Sequence, residues 1–195
     1  REEERSRLAE LVGTNPVVTV VGPGGIGKSR LAIEVARSLI ERFPDGVFYV
    51  ELASIPTADL VAAALVDALG LPEATDGGAL DVLRARLRDG DLLIVFDTAD
   101  RVAGVDALVA SLARACPDVR LMVTSRTALR IAAERELPIG PLPSDEAVRL
   151  FNVRARAAWA GWEADPSSMP SIERLVARLD GIPLAIELAA ARVRI

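Results

Sequence analysis

The chain alternates short unbroken apolar runs with longer stretches in which apolar residues recur every three or four positions. Val17-Val18-Thr19-Val20-Val21 is apolar and β-branched, the signature of a buried strand. Val47–Leu52, Leu92–Phe96 and Val119–Thr124 repeat that signature, and Glu136–Ile139 is a weaker fifth instance. Leu92–Phe96 shows no polar alternation, so it is expected to be covered on both faces. Helical periodicity runs through 4–12, 28–42, 58–69, 78–89 and 104–115, with Thr57 placed to cap the third helix and Gly70, Gly90 and Pro117 marking stops. Strands alternating with helices predict an α/β fold, a parallel five-stranded sheet flanked by helices. After Pro141-Leu142-Pro143 only helical periods remain, over 144–158, 169–179 and 183–194. The expected division is a nucleotide-binding domain over residues 1–142 and a small C-terminal helical subdomain over 143–195.

Between the first strand and the first long helix lies Gly22-Pro23-Gly24-Gly25-Ile26-Gly27-Lys28-Ser29, which fits the phosphate-loop spacing G-x-x-x-x-G-K-[ST]. Its glycines allow a tight turn that aims successive N–H groups at one anion, and the helix N-terminus adds partial positive charge there. Lys28 is placed to reach the β- and γ-phosphates, and the Ser29 hydroxyl to ligate Mg²⁺. Residues 22–29, with Arg30 following, form the candidate nucleotide-binding set.

Three further positions carry chemistry. Asp97 closes the apolar strand 92–96, where a carboxylate holds Mg²⁺ directly or through water. Asp100 is the nearest candidate for orienting the attacking water, because the position directly after Asp97 is Thr98, which cannot act as a base; Asp100 reads equally as a surface or capping aspartate. Arg126, at the end of the fourth strand, is either a γ-phosphate sensor or a solvated arginine. Ligands on parallel sheets bind at the carboxyl ends of the strands, so the phosphate loop, Asp97 and Arg126 are expected on one edge. Gly181-Ile182-Pro183 reads locally as a helix stop followed by a helix start.

Composition narrows the classes. The chain has 195 residues, 51% apolar and 26% charged, as in a soluble globular protein. A net charge of −5 argues against direct nucleic-acid contact by this segment. Cys116 is the single cysteine, read as a small buried hydrophobe, which points to a cytoplasmic setting. The absence of histidine removes histidine acid–base and metal chemistry. No apolar run is long enough to span a bilayer, and no membrane partner is expected. The abrupt ends suggest a piece of a larger protein.

Four segments in order, Gly-Pro-Gly-Gly-Ile-Gly-Lys-Ser-Arg-Leu-Ala, Leu-Leu-Ile-Val-Phe-Asp-Thr-Ala-Asp, Leu-Met-Val-Thr-Ser-Arg and Leu-Asp-Gly-Ile-Pro-Leu-Ala-Ile-Glu-Leu-Ala-Ala-Ala-Arg-Val, make the chain resemble the STAND class of signalling ATPases. Within it the chain resembles the NB-ARC domains of bacterial transcriptional regulators of the antibiotic-regulatory and LuxR-like kinds. The resemblance covers Glu2 to Val193. It implies a P-loop NTPase fold, ATP or ADP with Mg²⁺ as cofactors, and a switch between an ADP-bound closed state and an ATP-bound open, often oligomeric state. It matches Arg126 to the family's sensor arginine, Pro183 to the proline that packs near the adenine, and Arg1-Glu2 to the end of a segment lying against the adenine. Thr98 departs from the usual Asp or Asn and Asp100 from the usual Glu, which implies slow hydrolysis or none. The partners implied are an adenine nucleotide, other domains of a longer chain, and a nucleotide-dependent homo-oligomer. The alternative function is a non-hydrolysing nucleotide sensor or scaffold; a metabolic phosphotransferase fits less well, because no second substrate site is evident.

Overall fold

A computed structural model describes residues 1–72 and 78–193. These form two compact units. The first comprises Glu2–Gly22 and Lys28–Pro138; the second comprises Arg1, Pro23–Gly27 and Ile139–Ile195.

The first unit is built on five strands, β1 (Val17–Val21), β2 (Val47–Glu51), β3 (Leu93–Asp97), β4 (Arg120–Ser125) and β5 (Glu134–Pro138), in the order β2-β3-β4-β1-β5. All four pairings are parallel. Its helices are α1 (Glu2–Thr14), α2 (Lys28–Ser38), α3 (Ala58–Ala68), α4 (Ala79–Leu87) and α5 (Val105–Ala115). Strand side chains alternate between faces. Val17, Ile94, Phe96, Leu121 and Val123 share one core with Val61 and Leu65 of α3, Leu83 of α4 and Leu112 of α5. β3 is buried at every position, as its unbroken apolar run requires. Cys116 lies in the same core, where burial raises its thiol pKa.

The elements differ from the sequence expectations at a few ends. The helix expected over 28–42 stops at Ser38 and tightens into a 3-10 turn over Ile40–Arg42, because Phe43 precedes Pro44 and the chain must leave the α region. Thr57 stands at the N-terminal cap of α3 with extended backbone, but its side chain makes no capping bond. The backbone there pairs instead with Ala103, which accepts from Ala58 N and donates to Pro56 O. β5 begins two residues before its expected start, and its charged Glu134, Arg135 and Glu136 suit an edge strand. The Arg84 guanidinium donates to Ser111 Oγ on α5 and to Asp81.

The second unit carries α6 (Ser144–Ala158), α7 (Met169–Arg178) and α8 (Pro183–Ala190). Arg194, the last residue of the helix expected over 183–194, lies outside the described residues. Ala147, Phe151, Ile172, Val176 and Ile186 form its core. Trp162 packs edge-on against Phe151 at 5.8 Å and its indole N–H donates to Asn152. Arg154 of α6 pairs with Glu187 of α8 at 2.8 Å. Among the described residues no helix is long and apolar enough to cross a membrane.

Candidate functional site

The loop that follows β1 ends where α2 starts, with Lys28 as the first helical residue and Ser29 as the second. Gly25 and Gly27 have φ of +74° and +97°, a region that side-chain-bearing residues enter at a cost, so the glycines are required by the backbone. Gly24 has a negative φ and open space around it. Gly22 N donates to Ser125 O, tying the end of β1 to the end of β4. The Lys28 ammonium donates back to Gly22 O at 2.8 Å.

Three charges at the carboxyl edge of the sheet act on that ammonium. The Lys28 pKa is lowered from 10.5: partial burial pulls it down, Asp100 pushes it up, Arg126 pulls it down, and Asp97 pushes it up. All three charged residues lie at the carboxyl ends of β3 and β4. The strand order explains the geometry, because β4 lies between β1 and β3 and separates them by two strand spacings, roughly 10 Å.

Asp97 is only 4% exposed. A buried carboxylate must be hydrogen-bonded, and Thr124 Oγ1 of β4 donates to Asp97 Oδ1 at 2.5 Å. The same Thr124 oxygen accepts the Thr98 N–H at 2.9 Å. Partial burial of the Tyr49 phenol on β2, with the nearby Asp97 carboxylate, pushes its pKa well above the ordinary range. Thr98 adopts a left-handed backbone, φ +64° and ψ +46°, unusual for a β-branched residue and a sign of local strain.

The turn after Thr98 carries Asp100 back toward β4. Its Oδ1 accepts the Arg126 backbone N–H at 3.2 Å and its Oδ2 lies 3.3 Å from Arg126 Nε. Asp100 is thus neither a helix cap nor an isolated surface charge. Arg126 is solvated over much of its side chain and also paired.

Pro183 and the rest of the loop belong to the second unit. α7 ends in a Schellman motif: Asp180 N donates to Ala177 O and Gly181 N to Val176 O. The left-handed cap position is Asp180, φ +51°, and Gly181 follows at +63°. Gly181, which the local pattern reads as the helix stop, is instead the second residue past the Leu179 cap. A Cβ there would lie 2.6 Å from Leu142 O, and Leu142 N donates to Gly181 O. Pro183 opens α8, as its fixed φ favours. Its ring lies 3.9 Å from where a Gly27 Cβ would stand, and Leu184 N donates to Gly25 O. The Arg1 guanidinium donates to Ile26 O and Gly140 O. Arg30 is exposed, and Ile26 is buried, so Ile26 offers the loop its backbone and an apolar anchor.

Thr124, Tyr49 and the strained Thr98 backbone went unassigned in the sequence. Thr124 lies beside Asp97 because β3 and β4 are neighbours, with Phe96 opposite Val123. Tyr49 lies near the same carboxylate because it is opposite Val95 on β2. Both relationships depend on strand order and register rather than on any local pattern.

A family model described as the NB-ARC domain matches residues 2–158. The chain belongs to the NB-ARC domain family. An uncharacterised protein of Mycobacterium tuberculosis is 34% identical over 98% of this chain and 49% of its own length. A second protein of that organism, whose name is that of an HTH-type transcriptional regulator, is 38% identical over 96% of this chain and 21% of its own length. The regulatory protein AfsR of Streptomyces griseus is 30% identical over 96% of this chain and 19% of its own length. The chain thus spans about half or less of the length of these NB-ARC relatives. Among solved structures, Cdc6p from Pyrobaculum aerophilum superposes with a TM-score of 0.71 at 17% identity, over 97% of this chain and 59% of that one. A STAND ATPase with a tetratricopeptide repeat sensor from Pyrococcus horikoshii gives 0.64 at 18% identity, over 97% of this chain and 29% of that one. These likenesses establish a P-loop NTPase fold for this NB-ARC chain.

Proposed function

We propose that this NB-ARC domain binds ATP and ADP with Mg²⁺ and serves as a nucleotide-operated switch, with slow ATP hydrolysis, inside a longer cytoplasmic transcriptional regulator. The observation that carries the reading is the Lys28 ammonium at the start of α2, bonded to Gly22 O, at the same carboxyl edge of the sheet as Asp97 and the paired Asp100 and Arg126. The glycine backbone at 25 and 27 supports a phosphate cradle, with Gly22, Pro23, Gly24, Ile26 and Arg30 completing the segment. The division into a nucleotide-binding domain over 1–142 and a helical subdomain over 143–195 belongs to the same proposal, as does Pro183 as the residue facing the base.

The donor set suits Mg²⁺, which keeps most of its shell as water and phosphate oxygen and takes one or two protein ligands. Ser29 Oγ and Asp97 would hold it. When bound, the ion neutralises charge on the phosphate oxygens. Thr124 fixes the Asp97 carboxylate, so it reaches that role already oriented. Lys28 supplies positive charge to the phosphates. Asp100 would orient the attacking water, and Arg126 would meet the γ-phosphate.

A second reading, a non-hydrolysing nucleotide sensor or scaffold, is favoured by one observation. Thr98 stands directly after Asp97 and offers no base, while Asp100 is engaged by Arg126. The partners proposed are the nucleotide, the remaining domains of the longer chain, and further copies in the triphosphate state. Contact with DNA is assigned to other domains, since this segment carries a net charge of −5.

Phosphate release and retained nucleotide, measured for wild type, Lys28→Ala, Asp97→Ala and Asp100→Ala, test the reading. Release that depends on Lys28 and Asp97 supports a hydrolysing switch. Retained nucleotide without release supports the sensor. Folded wild type that binds neither nucleotide rejects both.

A further inference from the structure

Asp100 and Arg126 were assigned separate tasks toward the same phosphate, yet they hold each other. Asp100 accepts the Arg126 backbone N–H and forms an ion pair with its guanidinium, Oδ2 lying 3.3 Å from Nε. The two partners differ in setting. The Asp100 side chain is 14% exposed and the Arg126 side chain 57%. Asp100 is therefore anchored in the turn over Ala99–Arg101, while the guanidinium has solvent beside it into which to swing. The anchor is firm: the preceding Thr98 N–H is tied to Thr124, and Thr98 is held in a left-handed backbone. A surface pair of this kind is weak, and a phosphate dianion is a stronger, bidentate partner for a guanidinium.

The geometry points to a partner exchange: the γ-phosphate of a bound nucleoside triphosphate takes the Arg126 guanidinium from Asp100, and a diphosphate leaves the pair intact. This rests on the proposed nucleotide site and deepens it. A ligand shifts a two-state equilibrium only by its differential affinity for the two states. Here the states are Arg126 on Asp100 and Arg126 on phosphate, and only the triphosphate distinguishes them. Asp100 is then a competitor that sets how strongly the site prefers ATP over ADP. The same move frees the Asp100 carboxylate at the moment a triphosphate is present, so sensing precedes any orientation of water. The backbone bond from Arg126 N keeps Asp100 in place throughout.

The test is the ratio of affinities for a non-hydrolysable ATP analogue and for ADP, both with Mg²⁺, in the 195-residue chain. Four proteins form a cycle: wild type, Asp100→Asn, Arg126→Gln and the double variant. Asp100→Asn removes the competing charge and raises the analogue-to-ADP ratio by about two- to fivefold, the scale of an exposed pair. In the Arg126→Gln background the same substitution leaves the ratio unchanged. An Asp100→Asn ratio equal to wild type, or an equal rise in both backgrounds, overturns the exchange. If folded wild type binds neither nucleotide, the site reading fails instead, and the two failures are distinct. A measurement on wild type alone guards against a variant that does not fold. The Arg126 Nε–H resonance moves on adding the triphosphate analogue and stays on adding ADP. Equal movement with both overturns the proposal.

Discussion

The Thr124 hydroxyl stands between two neighbours in adjacent strands, giving its hydrogen to Asp97 Oδ1 and accepting the Thr98 N–H. One buried side chain on β4 thus satisfies the carboxylate that closes β3 and the first amide beyond it. Thr124→Val keeps the shape and removes both bonds. It leaves a buried carboxylate and a backbone N–H short of a partner, which costs about 1–3 kcal/mol. Chemical denaturation should show that loss, while Thr124→Ser retains most of the wild-type stability. Equal stability of Thr124→Val and wild type would mean that Asp97 is satisfied elsewhere.

Thr98, whose N–H makes that bond, has φ +64°. Asparagine and glycine enter this region more readily than a β-branched residue. Thr98→Asn and Thr98→Gly are therefore expected to match or exceed wild-type stability, by up to about 1 kcal/mol. A clear drop in Tm for both would show that the Thr98 hydroxyl, 3.4 Å from Asp97 Oδ2, contributes more than the strain removes.

Lys28 gives a pH dependence with a definite sign. Its folded pKa lies below 10.5, with burial as the main cause. The unfolded chain therefore binds more protons at this site, and its contribution to stability improves as pH rises from the folded pKa toward 10.5. Nucleotide affinity moves the opposite way, because the phosphates need the ammonium. Calorimetric titration with ADP should show affinity holding near neutral pH and falling at a pH below that of free lysine. Affinity that is flat through the alkaline range contradicts the role given to Lys28.

Gly181 and Gly24 make a contrast in the second unit. Gly181 has φ +63° and a Cβ there would meet Leu142 O at 2.6 Å, whereas Gly24 has open space and a negative φ. Gly181→Ala should lower the Tm, with a cost of about 1–3 kcal/mol or more. Gly24→Ala should leave the fold nearly unchanged. Equal effects would show that the contact at Leu142 relaxes freely.

Much of this was legible in the sequence, and most of the exceptions share a cause. β1 was legible because five consecutive β-branched residues, four of them apolar, read as a buried strand, and β3 because its run lacks polar alternation. The co-location of Lys28, Asp97 and Arg126 followed from the rule that parallel sheets present their ligand sites at the strands' carboxyl ends. Thr124 and Tyr49 were hidden because their partner is set by strand order and register. The Asp100–Arg126 pair was hidden for the same reason: two residues 26 apart meet only when β3 and β4 are neighbours. The start of β5 was missed because Glu134 and Glu136 look like loop residues until the strand is seen to be an edge.

The central claim is that Lys28 and its loop hold the phosphates of an adenine nucleotide. Isothermal titration of wild type and Lys28→Ala with ADP and Mg²⁺ tests it most directly. The account predicts saturable binding to wild type and a loss of about ten- to a hundredfold in Lys28→Ala, the scale of a charge-assisted hydrogen bond removed. Equal affinity in the two proteins, or no binding to folded wild type, would contradict it.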